Sequence, residues 1–158
     1  MKKMLAFGGT LVLALCLTGC GSDDKEKLMT CTKEDSIGNG LRGEYKYEVS
    51  YKGKYVTVVK STEKIVAEDS VKSTLPVYKE AVENVYAPYK DVKYYDAKVV
   101  VDGNTLTSSV EINYSKIDTD KLIKIDQNNA QLIKDGKIKI DDMQSYYESS
   151  VIKATCKK

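Results

Sequence analysis

The chain has 158 residues, with 25 lysines and arginines against 23 aspartates and glutamates, and it contains no histidine or tryptophan. Without histidine, the commonest general base and the commonest transition-metal ligand are missing. Arg42 is the only arginine, and because phosphate recognition favours the guanidinium fork, nucleic acid is not an expected partner. We therefore expect no enzymatic activity and no catalytic, cofactor-binding or metal-binding residues.

The first 19 residues have the features of a bacterial export signal. Two lysines precede an apolar stretch from Met4 to Leu17, which is shorter than the roughly 20 residues of a spanning helix. The segment Leu17-Thr18-Gly19-Cys20 resembles the lipobox of bacterial lipoproteins, in which the cysteine thiol receives the lipid. The pattern predicts a signal peptide at 1–19, lipidation of Cys20, a flexible tether at 20–27, and a location on the extracytoplasmic face of the cell membrane. An uncleaved anchor or a plain secretory signal is the alternative.

Residues 28–158 are enough for a single domain, and they contain two cysteines, Cys31 and Cys156. Cys16 leaves with the signal, so in an exported domain these two cysteines can pair in one way. A Cys31–Cys156 bridge would close a loop of about 125 residues and stabilise the fold by about 4–5 kcal/mol in the chain-entropy model. Two unpaired thiols, or a two-cysteine metal site, are the alternatives.

The first half of the domain has the two-residue period of an antiparallel meander. A strand is predicted at 28–35, followed by a turn at Gly38-Asn39-Gly40. The segment Glu44–Tyr51 alternates cleanly, and Lys52-Gly53 forms a short hairpin turn before a returning strand at Lys54–Val66. One face of the middle strand would consist of Tyr45, Tyr47, Val49 and Tyr51.

The period then changes to that of an amphipathic helix over residues 69–90. Asp69 or Ser70 can cap its start, Pro76 distorts it or moves its start later, and Pro88 marks its end. We expect this helix to cover the tyrosine face of the meander with one apolar stripe: Val71, Leu75, Tyr78, Val82, Val85 and Tyr89.

A second hairpin follows, with strands at 92–101 and 105–117 around Asp102-Gly103-Asn104. Two short helices are predicted after it, one from Asp118 or Thr119 through Ile125 and one from Asp141. A terminal strand at 151–156 would pair beside 28–35 and bring the two cysteines together. The fold class is α+β: a single antiparallel sheet, made of the meander and the second hairpin, with one long and one or two short helices packed on one face.

Few segments suggest chemistry. Asp126-Gln127-Asn128 begins like a calcium loop, but Ala130 and Gln131 stand where an oxygen ligand and a glycine are needed, so we expect a turn. A pair of carboxylates in a cleft stays open as a hydrolase site. The pairs Tyr94-Tyr95 and Tyr146-Tyr147 place adjacent rings on opposite sides of their elements, which suits either contact with a ligand or a core that uses tyrosine in place of phenylalanine.

The order of these features resembles the YehR-like family of small bacterial lipoproteins. The resemblance covers residues 44–125: the strand ending in Tyr51-Lys52-Gly53-Lys54-Tyr55-Val56-Thr57, the helix at 69–90, and the hairpin at 92–114. It implies a lipoprotein with an α+β fold, and it supplies no catalytic or binding residues because the family has no agreed activity. Cys31 and Cys156 depart from the family pattern.

The sequence therefore predicts a membrane-anchored, non-catalytic domain that binds a partner, either another envelope protein or a small ligand, through its sheet or helix surface. Its membrane contact is the lipid on Cys20. A solute-binding or transporter-accessory lipoprotein is the alternative, and it requires a cavity of ~300 Å³ or more with convergent polar groups. A carboxylate-based envelope hydrolase is the third possibility.

Overall fold

The structure is a computed structural model that describes residues 25–158. The predicted signal peptide at 1–19 and the lipidation site Cys20 lie outside the described residues. Of the predicted tether, the last residue, Lys27, already belongs to the first strand. Just before it, the Glu26 carboxylate accepts a 2.9 Å hydrogen bond from the Thr57 hydroxyl.

The described chain forms one six-stranded antiparallel sheet with helices, as the α+β prediction requires. The strand order is β4-β5-β3-β2-β1-β6, with pairing antiparallel throughout. The elements in chain order are β1 (Lys27–Gly38), β2 (Leu41–Lys52), β3 (Tyr55–Ala67), a 3₁₀ turn (Lys72–Thr74), α1 (Leu75–Tyr86), a second 3₁₀ turn (Ala87–Tyr89), β4 (Tyr95–Asp102), β5 (Thr105–Asn113), α2 (Thr119–Ile125), α3 (Asn129–Leu132), α4 (Ile140–Glu148) and β6 (Thr155–Lys157).

The predicted meander is confirmed, because the two-residue period of β2 matches its burial. Tyr47, Val49 and Tyr51 are buried on one face, while Glu48 and Ser50 between them point to the other. At the β1–β2 turn Asn39 and Gly40 both adopt positive φ, which asparagine and glycine tolerate best.

The buried side chains lie on one face of the sheet in two separate clusters. The larger cluster packs the C-terminal segment, including Leu122, Ile138 and Met143, against β1, β2 and β3. The smaller one places Leu75 of α1 against Leu41, Ala67 and Leu106. We call the opposite face, which these helices do not cover, the open face.

The prediction for the long helix was wrong in its caps and its packing, but right that Pro76 moves its start later and right for part of its apolar stripe. Pro76 occupies the first turn, so α1 begins at Leu75, after Thr74 as N-cap, and neither Asp69 nor Ser70 caps it. Helix α1 packs over β4 and β5. Of the predicted stripe, Leu75 is fully buried, whereas Tyr78 and Val85 are exposed, at 37% and 64%.

The tyrosine face of the meander is covered instead by the C-terminal segment. The Tyr147 ring of α4 stacks on Tyr47 with 4.4 Å between ring centroids. Helix α2 begins as predicted, with the Asp118 carboxylate accepting a hydrogen bond from the Lys121 backbone N–H. Helix α4 begins two residues earlier than predicted, with Lys139 rather than Asp141 as its N-cap residue.

The two ends of the domain are joined on one edge of the sheet. Strand β6 pairs with the middle of β1, where Cys156 lies directly opposite Cys31, and a disulfide joins them with their Cα atoms 4.0 Å apart. The terminal strand is shorter than the predicted 151–156, because regular pairing begins only at Thr155. Val151 lies before it and is 85% exposed.

Candidate functional site

The open face carries charged side chains of both signs. Lysines, glutamates and threonines alternate across β1, β2, β3 and β5, and neighbouring charges form ion pairs: Arg42–Glu44 at 2.8 Å, Lys46–Glu48 at 2.9 Å and Lys60–Glu111 at 3.1 Å. The tyrosines of β2 and β4 all point to the other face. Because protein interfaces are usually built around aromatic and arginine anchors, the open face suits solvent better than a specific partner.

The most unusual chemistry lies on the helix-covered face, in the gap between the two hydrophobic clusters. In the sheet, Tyr45 stands opposite Glu63 on β3, and Glu63 stands opposite Ser108 on β5. Above them the Tyr86 hydroxyl of α1 lies 3.4 Å from the Ser108 hydroxyl. We call this group, together with Tyr47, the tyrosine seam.

Glu63 is a half-buried carboxylate in this seam. Burial raises the pKa of its carboxyl above the ordinary value, and a hydrogen bond from the Tyr47 hydroxyl opposes that shift. Within residues 25–158, Glu63 belongs to no ion pair. A negative charge at this position is therefore incompletely compensated by the described part of the chain.

The surrounding tyrosines respond to the same carboxylate. Burial, followed by the nearby charge of Glu63, raises the pKa of Tyr45 and of Tyr47. Burial also raises the pKa of Tyr86, although the hydrogen bond with Ser108 acts in the opposite direction. The phenols therefore stay neutral at physiological pH and can donate hydrogen bonds.

Aromatic side chains extend the seam toward solvent. Tyr146 is 45% exposed, whereas its neighbour Tyr147 is buried, so this pair is divided between core and surface as predicted. The Lys33 ammonium lies 5.4 Å from the centre of the Tyr45 ring.

At least four concavities reach the volume that the solute-binding alternative requires, and the two smallest of them have about 300 Å³ each. One of about 740 Å³ lies at the β1–β2 turn and is polar, lined by residues such as Asp35, Arg42 and Glu68. Another of about 360 Å³ runs between α1 and β4, with Tyr86 and Tyr95 in its wall. Tyr86 thus lies between this groove and the tyrosine seam.

Among residues 25–158 no helix is long and apolar enough to cross a membrane. In the same part of the chain, no cluster of three or more carboxylates and cysteines is arranged to hold a metal ion. Asp126 forms a turn, as predicted, and its carboxylate accepts a 2.9 Å hydrogen bond from the Asn128 backbone N–H.

Sequence reasoning missed Glu63. The signal was present in β3, because Val59, Ser61, Glu63 and Ile65 share one face by the two-residue period. A glutamate therefore stands on the apolar face of a central strand, where a partner or a function is required. The helix that approaches it became known only from the structure.

Two solved structures share this fold. The NMR structure of E. coli YehR matches with a TM-score of 0.57 at 19% sequence identity, covering 84% of this chain and 92% of that one. The NMR structure of a protein from Streptococcus pneumoniae TIGR4 matches with a TM-score of 0.52 at 14% identity, covering 99% and 100%. No protein-family model and no curated protein matches the sequence. The chain therefore has a YehR-like fold, and at these identities the likeness extends to the fold alone.

Proposed function

We propose that this chain is a lipid-anchored, extracytoplasmic binding protein of the YehR-like family, and that its non-catalytic domain binds a ligand at the tyrosine seam. The lipobox-like segment ending at Cys20 supports the anchor, and the YehR-like fold supports the family. The observation that carries the binding role is Glu63, a carboxylate without an ion pair within residues 25–158, placed among neutral phenols.

The chemistry of the seam favours a positively charged organic group. A cation would compensate the Glu63 carboxylate, and the exposed ring of Tyr146 would offer it a favourable aromatic contact. Tyrosine also gives a large contact area at a low cost in side-chain entropy. We therefore expect a ligand that presents an ammonium group.

The binding test uses the full-length chain in detergent micelles with its tyrosines isotope-labelled for NMR. Tetramethylammonium chloride is the probe, and sodium chloride at equal ionic strength is the control. We expect saturable shifts of the seam tyrosines, lost in Glu63→Gln and retained in Glu111→Gln, which removes a carboxylate from the open face. Equal responses from both variants would exclude Glu63 as the binding group.

The same titration has a defined pH dependence. Because the pKa of Glu63 is raised, its carboxyl becomes charged later than an ordinary glutamate as the pH increases. Binding of the probe should strengthen as the pH rises through that pKa. If the chain hydrolysed an envelope polymer, and if Glu63→Gln abolished that activity, the hydrolase alternative would be favoured instead.

The anchor is tested separately in cells that are supplied with radiolabelled palmitate. We expect the label on the wild-type chain and no label on Cys20→Ala. Cys16→Ala is the control and should be labelled, because residue 16 is removed with the signal peptide. Labelling of Cys20→Ala would overturn the anchor without affecting the binding site.

A further inference from the structure

Strand β4 forms one edge of the sheet. Within the described part of the chain it pairs with β5 alone, so its other side presents backbone N–H and C=O groups that need partners. The opposite edge is different, because there β1 is covered in its middle by β6 and fastened by the disulfide.

The side chains of β4 that point to the open face form a short self-complementary pattern. Lys98, Val100 and Asp102 follow one another on that face by the two-residue period. Val100 is 40% exposed. Within residues 25–158, neither Lys98 nor Asp102 forms an ion pair, whereas six other charged residues of the open face form three pairs.

We propose that β4 pairs antiparallel with β4 of a second copy of this chain, around a twofold axis at Val100. In this register Val100 faces its own symmetry mate, and Lys98 of each copy faces Asp102 of the other. The contact is isologous, and it extends the sheet from one copy into the next while the helices of both stay on one face.

Charge disfavours two of the neighbouring registers. A register centred on Lys98 places the two Lys98 side chains opposite each other. A register centred on Val99 places Asp96 opposite Asp102. Both contacts are unfavourable because the charges are alike. A register centred on Ala97 pairs Asp96 with Lys98 and places Val100 opposite Tyr94. Tyr94 has a φ of 71°, so it is not extended and cannot continue the ladder. Val100 would then stay exposed.

The ladder is short, so we expect a weak interface, smaller than those of stable complexes. Confinement of two copies to one membrane would raise their effective concentration and favour pairing. The proposal is independent of any ligand in the tyrosine seam, because Lys98, Val100 and Asp102 point to the opposite face.

Cysteine cross-linking of the full-length chain in native membranes tests the contact. Val100→Cys places a thiol on the twofold axis, whereas Thr62→Cys places one on the same face at the centre of the sheet. Under mild oxidation we expect the disulfide-linked dimer to form about tenfold faster from Val100→Cys. The chain without an added cysteine measures the background. Equal rates from the two positions, or cross-linking of Val100→Cys to other proteins only, would overturn the proposal.

Charge reversal then tests the register. In the Val100→Cys background, Lys98→Asp and Asp102→Lys should each slow dimer formation about tenfold, because like charges then face each other. Combining both changes restores opposite charges and should restore the rate, which also shows that the variants fold. Failure of the double variant to recover refutes the register, and a loss caused by Asp96→Lys alone favours the register centred on Ala97.

Discussion

Reduction of the Cys31–Cys156 disulfide is the most direct test of how the ends of this fold are held. The bond closes a loop with a sequence separation of 125 residues. In the chain-entropy model, such a loop restricts the unfolded state enough to stabilise the native state by about 5 kcal/mol at 25 °C. A domain of this size typically has a free energy of unfolding of about 5–15 kcal/mol, so the bond supplies a large share.

The structure makes that value an upper limit. Strand β6 pairs with β1 through three residue pairs only, so after reduction it can fray locally and gain conformational freedom in the native state. Cys31 is fully buried, so Cys31→Ser would add the cost of burying a hydroxyl. Chemical reduction changes the bond and little else, and it is the better perturbation.

The assay is urea unfolding of the full-length chain, followed by far-ultraviolet circular dichroism with and without a phosphine reductant. We expect reduction to lower the free energy of unfolding by about 2–5 kcal/mol and to increase the denaturant dependence, since the unfolded chain becomes more extended. A Cys31→Ala, Cys156→Ala double variant is the control and should not respond to the reductant. Unfolding curves that coincide for the oxidised and reduced wild type would refute the reasoning.

Two further predictions concern the helix-covered face. Glu63 has a raised pKa, so the folded state binds its proton more tightly than the unfolded state, and stability falls as the pH rises from the unfolded pKa through the folded one. Glu63→Gln should therefore unfold at higher urea concentration than wild type at neutral pH, with the difference vanishing below about pH 4; a difference independent of pH would contradict this. Leu75→Ala should lower the free energy of unfolding by about 2–5 kcal/mol in the same assay. Val77→Ala, at a position 70% exposed on the same helix, should cost less than about 0.5 kcal/mol, and equal losses would show that Leu75 does not anchor α1.

The sequence was sufficient for the strands because their signal is local. In β2 the alternation of tyrosine and valine with charged residues reports directly which side faces the core. The turn at Gly38-Asn39-Gly40 and the capping of α2 by Asp118 have equally local causes, in backbone conformation and in a side-chain hydrogen bond. These features were predicted within a few residues of where the structure has them.

The long helix shows where local signals end. The sequence could not show which part of its apolar stripe would meet the sheet: Leu75 does, whereas Tyr78 and Val85 stay exposed. The choice depends on Leu41, Ala67 and Leu106, which are distant in sequence. The burial of Glu63 could not be predicted for the same reason, because its environment includes Tyr86 from α1.

By itself, the sequence determined the fold class, the meander and the second hairpin, since each follows from short-range periodicity. The small number of cysteines left Cys156 as the one partner for Cys31, and the structure shows that the two are bonded. Only the tertiary structure decided which element covers which part of the sheet. It placed α1 over β4 and β5 and the C-terminal segment over the tyrosine face. The physical reason is that each buried surface is formed by segments far apart in the chain. The gap between the two hydrophobic clusters at Glu63, and the unpaired edge of β4 at Val100, therefore exist only after those segments have packed.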